Sequence, residues 1–192
     1  MEKIQNNPQQ IEETLITMQT KKGNPRFETY LVLFRLTQND PAKVYPYWDQ
    51  LVPMLDLSTS TDHKYEAINL IANMLPVDLE NKFDAIVEKY YALLDDESII
   101  APGHVALRTG DIIQAKPHLE PKITDLLLQI NQTHHDARRK ALISANMIES
   151  MSQYYPIAKN QSKILEFVKS QQTAPSPKAK KNAKLFLQKY QR

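Results

Sequence analysis

No cysteine occurs in the 192 residues, and only three glycines and one tryptophan do. The missing cysteine removes disulfides and thiolate chemistry and is compatible with a reducing compartment. Gly23, Gly103 and Gly110 are too scattered to form a phosphate-cradling loop, which disfavours nucleotide hydrolysis. So few glycines also leave little material for β-hairpin turns. Uninterrupted apolar runs, such as 30–34 or 126–128, fall far short of the roughly 20 residues that a membrane span needs. The opening residues, Met1-Glu2-Lys3-Ile4-Gln5-Asn6-Asn7, are not followed by the apolar core of a secretory signal. The expectation is a cytoplasmic protein with no membrane partner.

What the chain does contain is period. Twelve prolines lie mostly between stretches with helical apolar spacing, and 42% of the residues are apolar, enough for a substantial core. Five times an apolar helical stretch, a polar or proline-rich break and a second helical stretch recur. The first helices register on Ile16, Leu51, Ile86, Ile123 and Ile164, which are 35, 35, 37 and 41 residues apart. The second helices register on Tyr30, Ala67, Ala106, Ala141 and Ala183, separated by 37, 39, 35 and 42. A helical pair of this length cannot bury its apolar face alone, so a period in this range predicts neighbours stacked into a solenoid. The fold expected is an all-α superhelix of about five helical hairpins in a single domain spanning 1–192, with units at approximately 8–38, 41–76, 78–116, 118–156 and 159–192.

Local signals set the expected boundaries. Pro25 opens the second helix of the first unit after Lys21-Lys22-Gly23-Asn24, and one helix is expected from Pro41 to Leu57. Ser58-Thr59-Ser60-Thr61-Asp62 is a dense set of N-cap candidates. Asp95-Asp96-Glu97 is expected to cap the helix after it, and Pro102-Gly103 to mark a kink or a late helix start. A long helix is expected from about His134 to Tyr155. Ala106 with Gly110, and Ala141 with Ala145, place small residues one turn apart, which suits close approach of neighbouring helices.

In these second helices Asp136 precedes Ala137-Arg138-Arg139-Lys140-Ala141, and Ala179-Lys180-Lys181-Asn182-Ala183 repeats the form without the acid. Lys64-Tyr65-Glu66-Ala67 after Asp62 is a partial match, while the first and third units depart with Phe27 and Gly103. With that pattern the chain resembles HEAT-repeat proteins across most of its length in period, and in sequence only over these short stretches. Tetratricopeptide repeats fit less well, because their period is nearer 34 and their Trp, Gly and Tyr signature is missing. The HEAT resemblance implies a scaffold whose second helices line a concave surface that grips a partner.

Net charge is +2, yet it is strongly divided: −1 over residues 1–57, −5 over 58–117 and +8 over 118–192. The basic third supplies the candidate partner-binding residues, Arg138, Arg139 and Lys140 on one second helix and Lys178, Lys180, Lys181 and Lys184 on the next. The competing reading of the same residues is a solvated face, with Arg138 and Lys180 tying adjacent repeats together through the acid at the turn. Catalytic residues, cofactors and metals are not assigned. His134-His135-Asp136 is set aside as a metal site because consecutive helical positions point about 100° apart. Asp95-Asp96-Glu97 lacks the alternating ligands and glycine of a calcium loop.

The first functional reading is a non-enzymatic scaffold that binds an acidic protein or peptide on the concave face. The alternative is a nucleic-acid-binding module using the basic C-terminal third, although no aromatic residues are interleaved with its lysines for stacking on single strands. A third reading rests on the resemblance alone: some glycosylases that remove alkylated bases from DNA are built from HEAT-like repeats. It would need tryptophan on the concave face, and Trp48 lies instead among Val44, Leu51 and Leu55 on a core-facing stripe. The oligomeric state is left open.

Overall fold

The computed structural model of the chain describes residues 7–191. Residues 1–6, on which the N-terminal reading rests, and Arg192, the end of the fifth expected unit, lie outside the described residues. Among the described residues there are ten α-helices and no strand, so the protein is all-α, and its helices pack in a repeat-like arrangement. No helix among the described residues is long and apolar enough to cross a membrane. The chain divides into two compact units, Met1–Phe83 and Asp84–Arg192.

The first unit starts with α1 (Pro8–Thr20), whose N-terminus is capped where the Asn7 side chain accepts from the Gln9 N–H at 3.0 Å. Ile11, Leu15 and Met18 form its buried stripe, and Ile16, the residue used above for register, points outward. The i, i+4, i+7 spacing of the buried three sets that face. Gly23, at φ +65, turns the chain into α2 (Asn24–Asn39) in a backbone region that residues with a Cβ rarely adopt. Residues 41–57, expected as one helix, instead form short 3₁₀ turns around a single α-turn, α3 (Trp48–Leu51). Pro46 and Pro53 explain the difference: each lacks the N–H that an α-helix interior requires and clashes with the preceding turn. Trp48 is nevertheless buried with Leu51 and Leu55. Of the expected cap cluster, Ser60 does the capping of α4 (Thr61–Met74), its hydroxyl accepting from the His63 N–H.

The second unit contains nearly all of α5 (Lys82–Ala92), then α6 (Ile100–Ala115), α7 (Glu120–Leu128), α8 (Ala137–Tyr154), α9 (Gln161–Ser170) and α10 (Pro177–Tyr190). Pro102 neither kinks nor delays α6, because it falls in the first turn where an N–H has no intrahelical partner anyway. α8 packs against both α6 and α10. Asn146 Nδ2 donates to the Gly103 carbonyl and Ser150 Oγ to that of Ala106, while Asn182 Nδ2 donates to the Ala145 carbonyl and Tyr190 OH to that of Ser152. Small residues at Ala106 and Gly110 lie on this contact, where a Cβ on Gly110 would meet the exposed amide end of Gln153. Burying Ala179, Ala183 and Phe186 docks α10, with the Phe186 ring 5.0 Å from that of Tyr155. A second set of bonds joins the first helices, through Asp84 to His118, Glu88 to Lys122 and Asp125 to Lys163.

Candidate functional site

The interhelical bonds fix how the basic residues are displayed. Asn182 meets Ala145 and Tyr190 meets Ser152, so α10 runs parallel to α8 with an offset of 37 to 38 residues. At that offset Arg138 and Arg139 stand level with residues 175 and 176, just before α10 begins. Arg138, Arg139, Lys140, Lys178, Lys180 and Lys181 therefore occupy the same, N-terminal, end of the helix pair, and Lys184 stands midway along α10. That end also carries the positive pole of each helix, which favours an anion.

The seven residues do not behave alike. Lys140 Nζ donates to the Asn131 carbonyl at 2.8 Å, and Lys178 Nζ bonds Asn146 Oδ1 at 2.7 Å and lies 3.4 Å from Glu149. These two are committed to the fold. Arg138, Arg139, Lys180, Lys181 and Lys184 are exposed, and their side chains have no ion-pair partner among the described residues. Tying repeats together through the acid at the turn is thus not what Arg138 and Lys180 do. Asp136 spends its carboxylate on the N-terminus of α8, accepting from the Arg139 N–H at 2.8 Å, and this bond with the nearby guanidinium groups holds its carboxyl below the usual range.

The exposed strip of α8 places Leu142 one turn from Arg138, and on α10 Leu185 lies one turn from Lys181. Leu142 is 43% and Leu185 54% exposed. Between the helices, Ile148, Glu149, Ser152, Asn182, Leu185, Phe186 and Lys189 line a groove of about 220 Å³. Basic side chains at both ends and apolar side chains along the groove suit an amphipathic acidic segment. Trp48, which base stacking would need at a surface, is only 1% exposed in the core of the first unit.

A second constellation lies in the turns that precede α6 and α8. Asp95 does not cap α6, as expected above; that turn is held by Asp96, which accepts from the Ser98 N–H at 3.0 Å, and by the Ser98 hydroxyl, which accepts from the Ile100 N–H. Asp95 Oδ1 instead accepts from the His134 backbone N–H at 2.8 Å and from its Nδ1 at 2.6 Å. Burial would raise the Asp95 carboxyl, but these two bonds bring it below its ordinary value. α8 begins at Ala137, so His134 and His135 are not consecutive helical residues as assumed in setting them aside. Their ring centres lie 4.3 Å apart with the planes tilted by 41°, and a ring nitrogen of each lies within 4.8 Å of the Asp95 carboxylate and of the other. His135 Nε2 donates to the Leu94 carbonyl at 3.2 Å. Spacing along the chain could not reveal this cluster, because Asp95 lies 39 residues before His134. No protein-family model, curated protein or solved structure matches the chain.

Proposed function

We propose that the helical hairpins of this chain are HEAT-like repeats and that the protein is a non-enzymatic binding scaffold, whose α8–α10 face takes an acidic segment of a partner protein. Support for the repeat reading comes from the bonds between hairpins within each unit. Arg26 to Asp62, Asn73 to Thr37, Asp84 to His118, Asp125 to Lys163 and Asn182 to Ala145 each join positions 34 to 38 residues apart, close to the sequence period. The observation that carries the binding reading is the contrast among cations of the second unit. Lys122, Lys163 and Lys178 are paired with carboxylates, whereas Arg138, Arg139, Lys180 and Lys181 are left to solvent at the N-terminal end of the α8–α10 pair, and Lys184 is left to solvent farther along α10.

A protein segment fits this face better than a nucleic-acid backbone. Glu149 interrupts the positive track, and the exposed Leu142 and Leu185 offer nothing to a phosphate. The test is fluorescence anisotropy with two labelled probes of equal charge, an Asp- and Leu-containing peptide and a DNA duplex, at low and at physiological salt. The expected result is peptide binding that weakens in the Arg139→Glu/Lys180→Glu double variant. No peptide binding at low salt, or binding that the double variant leaves unchanged, overturns the proposal. Duplex binding that falls steeply with salt would transfer the surface to the nucleic-acid reading.

A further inference from the structure

We infer that Asp95, His134 and His135 form a binding site for one divalent transition-metal ion, with zinc the best chemical fit. Other acid–base pairs between hairpins of this unit hold one acid against one base: Asp84 with His118 at 2.6 Å, Glu88 with Lys122 at 2.8 Å, Asp125 with Lys163 at 2.7 Å. At Asp95 a second imidazole is added, and its bonding is that of a ligand. His135 is 3% exposed. Its Nε2–H is given to the Leu94 carbonyl, an atom that can only accept, so the lone pair resides on Nδ1. Nδ1 is buried and has no hydrogen-bond partner. A buried polar atom without a partner costs about 1–3 kcal/mol, and a ring N–H donated to a backbone carbonyl is the usual way a metal-bound histidine is oriented.

The remaining ligands follow the same logic. Asp95 Oδ1 is occupied by His134, while Oδ2 has no partner among the described residues. Bonds of about 2.0–2.2 Å in a tetrahedral site place ligand atoms roughly 3.3–3.5 Å apart. The three donor atoms lie within 4.8 Å of one another. Asp95 ends a 3₁₀ turn and the two histidines precede Asp136, so all three lie outside the α-helices. Binding at Nδ1 would put the cation in place of the proton between His134 and Asp95, with the neutral ring carrying its proton on Nε2. Two imidazoles and a carboxylate suit zinc, nickel or copper and do not suit calcium or magnesium, which prefer all-oxygen shells. Asp95 also lines a cleft of about 360 Å³ together with Glu88, Tyr91, Gln129 and Thr133, a nearby source of water to complete the shell. The site is separate from the α8–α10 groove and does not depend on the scaffold reading.

The test uses the full chain freed of metal, titrated with zinc chloride by calorimetry and with cobalt chloride by visible absorption, together with Asp95→Asn and His135→Ala. The expected result is one equivalent of zinc bound, a cobalt spectrum of tetrahedral type, and binding at least about tenfold weaker in either variant, the least that loss of a metal-site partner costs. Zinc should raise the melting temperature of the wild type and not that of Asp95→Asn. Circular dichroism checks that the variants fold, and since Asp95 is exposed, its variant remains informative if His135→Ala does not fold. Zinc that fails to bind the wild type, or binds wild type and Asp95→Asn equally, overturns the assignment.

Discussion

Arg26 on α2 reaches Glu66 on α4, a residue with no exposed surface, and also meets Asp62 at 2.9 Å. Glu66 Oε2 accepts no hydrogen bond, so the guanidinium is the chief compensation for burying that charge. Removing one member of such a pair strands the other. Above about pH 8, where Glu66 is ionised, Arg26→Ala should cost about 3–5 kcal/mol in urea denaturation, and adding Glu66→Gln should restore part of the loss. Lys163→Ala, which breaks an exposed pair with Asp125, should cost under about 1 kcal/mol. Equal costs for Arg26→Ala and Lys163→Ala would contradict the buried pairing.

The same carboxyl sets a pH dependence. Burial pushes Glu66 from 4.5 up to about 8, against the pull of the Arg26 charge and with the push of Asp62. A group whose value is raised by folding takes up a proton as the chain folds, so its contribution is complete below about 4.5 and declines as pH rises toward 8. Wild-type stability relative to Glu66→Gln should therefore fall across that window, by an amount on the order of a few kcal/mol. Denaturation midpoints at both ends of the window check this, and a difference that rises with pH would reverse the assignment.

Docking of α10 rests on few side chains. Phe186 is 2% exposed, with the rings of Tyr155 and Tyr190 at 5.0 and 4.8 Å. Phe186→Ala should cost about 3–5 kcal/mol, whereas Lys184→Ala on the opposite face should stay within about 0.5 kcal/mol. A low cost at Phe186 would mean that the helix is not held by this face.

At the start of α8, Asp136→Ala should cost about 1 kcal/mol by loss of the cap, and Asp136→Asn should retain most of it because asparagine caps as well. Thermal melts of the three proteins decide the point.

Helical pairing and period were legible in the sequence because buried residues such as Leu15 and Met18, or Ala67, Leu70 and Ile71, recur at three- and four-residue spacing. Helix type was less legible where Pro46 and Pro53 sit inside an apolar stripe, since apolar spacing persists through the 3₁₀ turns that proline imposes. The basic clusters could be named in advance, but not their separation into committed and solvent-facing members. Lys140 is engaged by a backbone carbonyl nine residues earlier in the chain, which no charge pattern announces. His134 and His135 were misplaced for a related reason. Asp136, two residues after His134, carries the cap, and that moves both imidazoles out of the helix and toward a carboxylate from the preceding hairpin.

The bonds of α10 run to α8 and to Tyr155, and those that α8 sends the other way run to α6. Peeling away the final hairpin would thus unseat only its immediate neighbour, while the Ser150 and Asn146 clasps on α6 stay shut. Fraying should advance inward layer by layer, so amide protection in this unit ought to climb from α10 toward α6.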